Sequence, residues 1–146
     1  MTPEQLLPHA APMVLLDRVI ETSDSGAVCE LDIRPGIPFA DDQGVPMWVG
    51  IEYMAQCIGV FAGAQAKALG EPIKVGFLIG TRKFDSDVTA FRHGQTLRVA
   101  VEKVLEQDNG LSVFSCTLDG PDGGQRAQIN VFQPQDAAAF LNGEAS

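Results

Sequence analysis

The chain has 146 residues, of which 45% are hydrophobic and 20% charged, and its formal net charge is −9 at pH 7. This length suits a single domain, 1–146, and the apolar content is too high for a disordered chain. The negative charge disfavours nonspecific nucleic-acid binding, which needs a basic surface that displaces counterions from phosphates.

The N-terminal third shows no targeting segment and predicts two strands. No basic stretch leads into an apolar one, and the longest apolar run, between Glu52 and Lys67, is too short and too polar for a membrane span, so we expect a cytoplasmic protein.

Residues 13–22 and 27–34 are rich in apolar and β-branched side chains, and the second stretch alternates apolar with charged residues, as a half-buried strand does.

One long helix is predicted in the centre of the chain. A loop rich in proline, glycine and aspartate ends near Pro46, and the helix-compatible run that follows continues to near Gly70. Proline at the start and glycine after the end are typical helix boundaries.

The C-terminal half predicts four strands, at 74–81, 96–106, 111–118 and 126–132, and a short helix at 135–142. Short turns join the last three strands, which makes them antiparallel hairpins. Val104 and Leu105 interrupt the alternation, so we expect a bulge there. Because the central helix is largely apolar, we predict an α+β fold in which a curved antiparallel sheet of about six strands wraps the helix.

Glu52 stands out in the predicted helix. At 100° per residue, its face also carries Gln56, Gly59, Gly63 and Ala66, whereas the bulky packing face carries Met54, Cys57, Ile58, Phe61 and Ala68. The small residues would let a strand, a second subunit or a ligand approach the helix backbone. Glu52 is either exposed at the first turn, where the helix dipole favours a negative charge, or functional.

The cysteines and the basic residues give weaker signals. Cys29, Cys57 and Cys116 have no zinc-ligand spacing, so we predict reduced, mostly buried thiols and no metal site. Basic residues concentrate between Lys67 and Lys103, which indicates a local positive patch or a solvated face of mixed charge.

Three segments resemble the 3-hydroxyacyl-acyl-carrier-protein dehydratases of the hotdog superfamily. Residues 6–19, LLPHAAPMVLLDRV, resemble the family's opening, and residues 51–59, IEYMAQCIG, resemble its central helix, where Glu, Ala-Gln and Gly recur at the same spacing. Residues 76–84, GFLIGTRKF, are similar to the strand that follows. The chain is especially similar to the divergent dehydratase-like proteins encoded with aryl polyene lipid pathways.

The resemblance implies a hotdog fold and a dimer, with a second copy or with a paralogous subunit, whose active sites lie at the subunit interface. The implied reaction is dehydration of a 3-hydroxyacyl thioester on acyl carrier protein to the trans-2-enoyl thioester, with no cofactor. Glu52 matches the catalytic acid, which protonates the leaving hydroxyl. Gln56, one turn along, would hold the Glu52 side chain or the substrate by a hydrogen bond.

The chain departs from the family where the catalytic base is expected. Family members carry a Gly-His-Phe-Pro segment upstream of the glutamate, but residues 37–50, IPFADDQGVPMWVG, contain no histidine. His9, in the Leu-Pro-His element, is the candidate replacement. Asp41 or Asp42 in the loop is an alternative base, and His93, in a polar turn, is expected to be exposed.

The remaining candidate residues would bind the substrate or its carrier. Backbone N–H groups of Met47, Trp48 and Val49 would polarise the thioester carbonyl, although the family has glycine where Met47 aligns. The Trp48 side chain is expected in the core or in a tunnel wall. The acyl chain would lie along Gly76, Phe77, Leu78 and Gly80, and Arg82, Lys83 and Arg92 would dock the acidic carrier protein.

Two other functions fit the same residues. A hotdog acyl thioesterase would use Glu52 as the base or to position water, and it needs no histidine. A noncatalytic subunit would bind acyl chains, or would pair with an active paralogue that supplies the missing histidine across the interface.

Overall fold

A computed structural model describes residues 2–7, 14–71 and 77–132 of the chain. The helices are α1 (Pro3–Leu6) and α2 (Gly50–Ala68), and a 3₁₀ turn, Met47–Val49, leads directly into α2. The strands are β1 (Arg18–Thr22), β2 (Gly26–Asp32), β3 (Gly44–Pro46), β4 (Phe77–Ser86), β5 (Ala90–Arg92), β6 (Thr96–Glu106), β7 (Leu111–Gly120) and β8 (Gly123–Phe132). In these ranges, no helix has both the length and the apolar character that a membrane crossing requires.

Six strands form one antiparallel sheet in the order β1-β2-β6-β7-β8-β4. Consecutive hairpins join β6, β7 and β8, as predicted, and β4 lies at one edge beside β8. The expected bulge in β6 is confirmed, because the register with β7 shifts between Lys103 and Leu105. The prediction of one long helix against an antiparallel sheet of about six strands is therefore confirmed.

The core lies between α2 and the inner face of the sheet. Met54, Cys57, Ile58 and Phe61 are buried in one cluster with apolar side chains of β2, β6 and β7, so four of the five residues predicted for the packing face do pack. Ala68 is exposed, because it lies in the last turn of the helix beyond the sheet. All three cysteines are free and buried, as expected.

The small-residue face of α2 is covered by α1, which the sequence did not predict. A Cβ atom on Gly63 would lie 2.0 Å from the carbonyl oxygen of Leu6, and one on Gly59 would lie 2.6 Å from Cδ2 of Leu7. The helix α1 begins with Pro3, and the Gln5 side chain accepts a hydrogen bond from the Thr2 N–H at 3.1 Å. The two glycines therefore serve close packing of the N-terminal segment.

The strand boundaries differ from the prediction at both edges of the sheet. Strand β1 begins only at Arg18, since the N–H of Leu15 bonds to a side chain of α2 instead of to a strand. Strand β4 continues five residues beyond the predicted end, to Ser86. Among the described strands it pairs with β8 alone, and an edge strand tolerates the charged residues there. Residues 74–76 and the predicted helix at 135–142 lie outside the described residues.

A two-stranded sheet of β3 and β5 was also missed. Each strand has three residues, too few for an alternating pattern. Gly44 begins β3 with a φ of 145°, and a Cβ atom there would lie 1.9 Å from the carbonyl oxygen of Phe91. The small sheet places Pro46 at the start of the helical segment, and so it positions the candidate site.

Candidate active site

The backbone of Met47 is held on both sides at the start of the helical segment. Its N–H donates to the carbonyl of Thr89 at 3.1 Å, and its carbonyl accepts hydrogen bonds from Gly50 N–H and, at 2.8 Å, from Nε2 of Gln125. The Met47 amide is thus already bonded and is not a free donor. Helix geometry leaves the next two amides, of Trp48 and Val49, without an acceptor inside the helix.

Glu52 lies in the first turn of α2 and is exposed in the isolated chain. Trp48 precedes it by one turn, so the two side chains share a face. Trp48 is 55% exposed and Phe39 44% exposed, and their rings meet edge to face with centroids 5.8 Å apart. The Trp48 side chain therefore does not lie in the core, and its place in a tunnel wall stays a prediction.

Phe39 adopts a backbone conformation that aromatic residues rarely take. Its φ is 69°, in the left-handed region, where a Cβ atom is crowded by the following carbonyl. Despite this strained backbone, the Phe39 side chain is exposed, and its ring contacts that of Trp48. Phe39 and Trp48 thus place two exposed aromatic rings at the start of the helical segment, whose first α-helical turn carries Glu52.

Gln56 continues the Glu52 face into the interior. It is 3% exposed, and its Oε1 accepts a hydrogen bond from the N–H of Leu15 at 2.8 Å. Leu6 and Leu7 pack further along the same face, on Gly63 and Gly59. His9 itself lies outside the described residues, but the described segments before and after it are both anchored to the Glu52 face of α2.

The loop where the family carries its histidine is held by a structural aspartate. Asp41 Oδ1 accepts hydrogen bonds from the N–H groups of Gln43 at 2.8 Å and Gly44 at 3.0 Å. These two bonds hold the pKa of Asp41 below its ordinary value, which makes its carboxylate a weaker base. Asp42 is exposed in the same loop.

His93 is half-buried, so the expectation that it is exposed is wrong. Its Nε2 donates to the carbonyl oxygen of Asp41 at 2.7 Å, because a carbonyl can only accept. Its Nδ1 is buried and has no hydrogen-bond partner among the described residues. His93 thus fastens the loop that carries Phe39.

Two buried polar residues near the helix start were not predicted from the sequence. Tyr53 is 1% exposed, its ring lies 6.3 Å from that of Phe91, and its hydroxyl has no partner in the described part of the chain. Burial, with a smaller effect of nearby Asp17, raises the pKa of Tyr53, so the hydroxyl stays neutral. Gln125 is buried in β8, on the same inward-facing side of the strand as Ala127 and Ile129. A polar residue at an inward-facing position of an alternating strand is the sequence signal that could have identified it.

Three of the four residues predicted to bind the acyl chain lie in the first half of β4. Gly76 is outside the described residues, whereas Phe77 and Leu78 pair with Phe132 and Val131 of β8. Gly80 lies opposite Asn130, and a Cβ atom there would meet no atom of the described residues within 4 Å. The described part of the fold therefore leaves open space beside Gly80.

The three predicted docking cations do not form one group of free charges. Arg82 and Lys83 are exposed on β4, next to a register shift, and Lys83 has a φ of 54°. Arg92 lies on β5, where its Nε and Nη2 each donate to the carboxylate of Asp122 at 2.7 Å. Within residues 2–7, 14–71 and 77–132, no group of three or more His, Cys, Asp or Glu side chains is arranged to hold a metal ion.

Comparison with known proteins gives a family and a set of structural neighbours. The sequence model of the ApeP-like family, described as ApeP dehydratase, matches residues 1–142. A solved structure described as the dehydratase heterocomplex ApeI:P from Xenorhabdus doucetiae is 30% identical, with 97% of this chain and 96% of that chain covered and a TM-score of 0.87. No curated protein matches the chain.

More distant structures share the fold alone. A hypothetical thioesterase with coenzyme A from Streptococcus pneumoniae is 12% identical, over 80% of this chain and 84% of that chain, with a TM-score of 0.61. The protein Cj0977 from Campylobacter jejuni is 16% identical, over 92% of this chain and 88% of that chain, with a TM-score of 0.64. The predicted hotdog fold is confirmed, and the chain belongs to the ApeP-like family of dehydratases.

Proposed function

We propose that this chain acts in the dehydration of a 3-hydroxyacyl thioester, carried on acyl carrier protein in the cytoplasm, to the trans-2-enoyl thioester. The observation that carries the proposal is Glu52, a carboxylate at the first turn of the central helix in a chain of the ApeP-like dehydratase family. The reaction needs a base for the α-proton, donors for the enolate oxygen and an acid for the β-hydroxyl.

Glu52 would be the acid that protonates the leaving hydroxyl. A carboxyl must be desolvated to stay protonated near neutral pH, and in the isolated chain Glu52 is exposed. The covering surface must therefore come from the substrate or from a second subunit. Two exposed aromatic rings, of Phe39 and Trp48, lie at the start of the same helical segment and support such a covering surface.

His9 would be the base that removes the α-proton. Support comes from its described neighbours, since Leu7 packs on Gly59 and Leu15 bonds to Gln56, both on the face that carries Glu52. The alternative base, Asp41, is weakened by its two backbone hydrogen bonds. Gln56 would act indirectly, by holding the segment that follows His9.

Backbone and edge-strand groups would bind the rest of the substrate. The amides of Trp48 and Val49 would polarise the thioester carbonyl, with the positive end of the helix dipole behind them. The acyl chain would run along the start of β4, where the described residues leave open space beside Gly80. Arg82 and Lys83 would face the acidic carrier protein, and Arg92 would contribute less because Asp122 matches its charge.

A noncatalytic subunit is the second candidate function. The similar Xenorhabdus doucetiae protein was solved as a dehydratase heterocomplex, and the Gly-His-Phe-Pro segment of the dehydratases is absent here. In this case a paralogous hotdog subunit would supply the histidine across the interface. Strand β4, a sheet edge with β8 on one side only among the described strands, is a surface on which such a partner would pair.

One assay separates the candidates. The chain is purified alone and together with a paralogous hotdog subunit, and each sample is incubated with a 3-hydroxyacyl carrier-protein thioester, with water loss followed by mass spectrometry. We expect Glu52→Gln to lower kcat by about 10²–10⁴-fold, because the amide cannot donate the proton, and His9→Ala to do the same. Glu102→Gln, which changes an exposed glutamate on β6, serves as the matched control.

Each other outcome identifies a different function. Activity of the pair that survives both Glu52→Gln and His9→Ala would contradict catalysis by this chain and identify it as the noncatalytic subunit. Release of free acid and thiol instead of water would indicate a thioesterase.

A further inference from the structure

Gln125 is a buried glutamine near the start of β8 whose amide reaches the start of the helical segment. It is 1% exposed, and its Nε2 donates to the carbonyl of Met47 at 2.8 Å and to Oγ of Ser86 at 3.0 Å. One side chain thus joins β8 to the end of edge strand β4 and to the residue from which the helix starts.

The orientation of the amide follows from its partners. The Met47 carbonyl can only accept a hydrogen bond, so the NH₂ group of Gln125 must face it. The carbonyl end then faces Gly50, where a Cβ atom would lie 1.8 Å from Oε1. Oε1 is buried and has no hydrogen-bond partner among the described residues. A buried acceptor without a partner lowers stability, so the presence of a glutamine at position 125 needs an explanation.

Stability does not explain Gln125, because its loss would leave no neighbour without a partner. The Met47 carbonyl would still accept the N–H of Gly50. The hydroxyl of Ser86 would still donate to the carbonyl of Val88 at 2.7 Å. An apolar side chain of similar volume at position 125 would remove the unpaired oxygen and create no other.

What Gln125 does fix is the position of the Met47 peptide. The N–H of Met47 is already held by Thr89 at 3.1 Å, and the Gln125 amide holds its carbonyl from the opposite side of the chain. Because both the N–H and the carbonyl of Met47 are bonded, the backbone of Met47 sets the direction of the Trp48 and Val49 amides that follow it. Glu52 lies in the next turn.

We infer that Gln125 is a positioning residue that fixes the start of the central helix, so that Glu52 and the amides of Trp48 and Val49 meet the substrate together. This inference rests on the proposed dehydratase function. A misplacement of reacting groups by about 1 Å costs up to about 10²-fold in rate, so the effect falls on kcat more than on binding.

The test compares Gln125→Leu and Gln125→Glu with a matched control, Gln95→Leu. Gln95 is also a buried glutamine, and its amide donates to Asp122 in the β7–β8 turn rather than to the helix start. Each variant is assayed, alone and with the paralogous subunit, for kcat and KM of dehydration, for thermal unfolding, and for hydrogen exchange of the peptide covering residues 47–53.

For Gln125→Leu we expect kcat to fall about 10–100-fold with KM changed less than about twofold, Tm not to fall, and exchange at the helix start to rise about tenfold. The carboxyl introduced by Gln125→Glu must be protonated to donate to the Met47 carbonyl, so its activity should recover as the pH is lowered. Gln95→Leu should change neither kcat nor the exchange of residues 47–53.

Two results would overturn the inference: unchanged exchange in Gln125→Leu, or a loss of kcat that is matched by a loss of Tm and shared by Gln95→Leu. If the wild-type protein forms no enoyl product in either sample, the proposed function fails. Hydrogen exchange still decides the role of Gln125 in that case, because it reports the helix start without any substrate.

Discussion

At the scale of single residues, burial decides the chemistry of the three cysteines. Cys29 and Cys57 are 0% exposed and Cys116 is 1% exposed. The Sγ of Cys57 lies 3.6 Å from the carbonyl oxygen of Ala27, and its contact with Cys29 together with burial raises its pKa. Burial raises the pKa of Cys116 to about 12. Because the thiolate is the reactive form, these thiols are inert while the chain is folded.

We therefore predict that iodoacetamide at pH 8 labels none of the three cysteines in the native protein and all three after unfolding in urea. Mass spectrometry of the intact chain counts the added groups. Ser115→Cys, which places a thiol at an exposed position on β7, is the positive control and should be labelled at once. Rapid native labelling of Cys29, Cys57 or Cys116 would show that the core around them opens.

Glu52 and Gln56 are the site residues that the sequence pattern itself indicated, whereas His9 and the substrate-binding residues followed from the family resemblance. Glu52 and Gln56 were found because they are polar positions in an apolar helix, and the structure places them one turn apart, the first exposed and the second buried. The contact of His93 with Asp41 was not predictable, because the two residues are 52 positions apart and meet only through the loop and the β5–β6 turn. Long-range pairs of this kind depend on the fold and leave no local pattern.

At the scale of elements, the fit between α1 and α2 depends on one glycine more than on the other. A methyl group on Gly63 would meet the backbone oxygen of Leu6 at 2.0 Å, which can move only with the whole of α1. A methyl group on Gly59 would meet the end of the Leu7 side chain at 2.6 Å, which can rotate away. Both glycines lie in the helix interior, so alanine would gain the same helix propensity, about 1 kcal/mol, at either site.

We predict that Gly63→Ala is less stable than Gly59→Ala by about 1–3 kcal/mol, the usual cost of overpacking. Urea denaturation of the two variants measures the difference, and each serves as the control for the other because the propensity gain cancels. Equal stabilities would mean that α1 does not pack on α2 as described.

The elements that the sequence did not predict are short ones, which have no repeating pattern of their own and depend on contacts with distant parts of the chain. Strands β3 and β5 have three residues each, and at Gly44 their backbones approach so closely that a Cβ atom would clash with the carbonyl of Phe91. Helix α1 has four residues, too few for a helical period. The long elements α2, β6 and β7 were predicted well, since each repeats its pattern over ten or more residues.

At the scale of the whole molecule, the chain has a net charge of −9, and ion pairs on the outer face of the sheet make part of its free energy of unfolding depend on pH. Arg18 on β1 donates to both oxygens of Asp32 on β2 at 2.8 Å, and the Thr96 hydroxyl on β6 donates to the same carboxylate at 2.8 Å. These hydrogen bonds, that from Arg18 first, hold the pKa of Asp32 well below its ordinary value. The network therefore joins three neighbouring strands across the sheet.

A carboxyl whose pKa is lowered by folding stabilises the protein above its unfolded pKa, and this contribution is lost as the pH falls through the folded pKa. We predict that Asp32→Asn lowers the free energy of unfolding at pH 7 by at most about 1 kcal/mol, because the pair is exposed and water screens it. The difference from wild type should begin to shrink below about pH 4, where the Asp32 carboxyl of the unfolded chain takes up a proton while that of the folded chain is still ionised. Urea titrations at several pH values measure this slope, with Asp24→Asn, in the exposed β1–β2 turn, as the control. A deficit in Asp32→Asn that stays constant down to pH 2 would show that the carboxylate contributes through packing rather than through its charge.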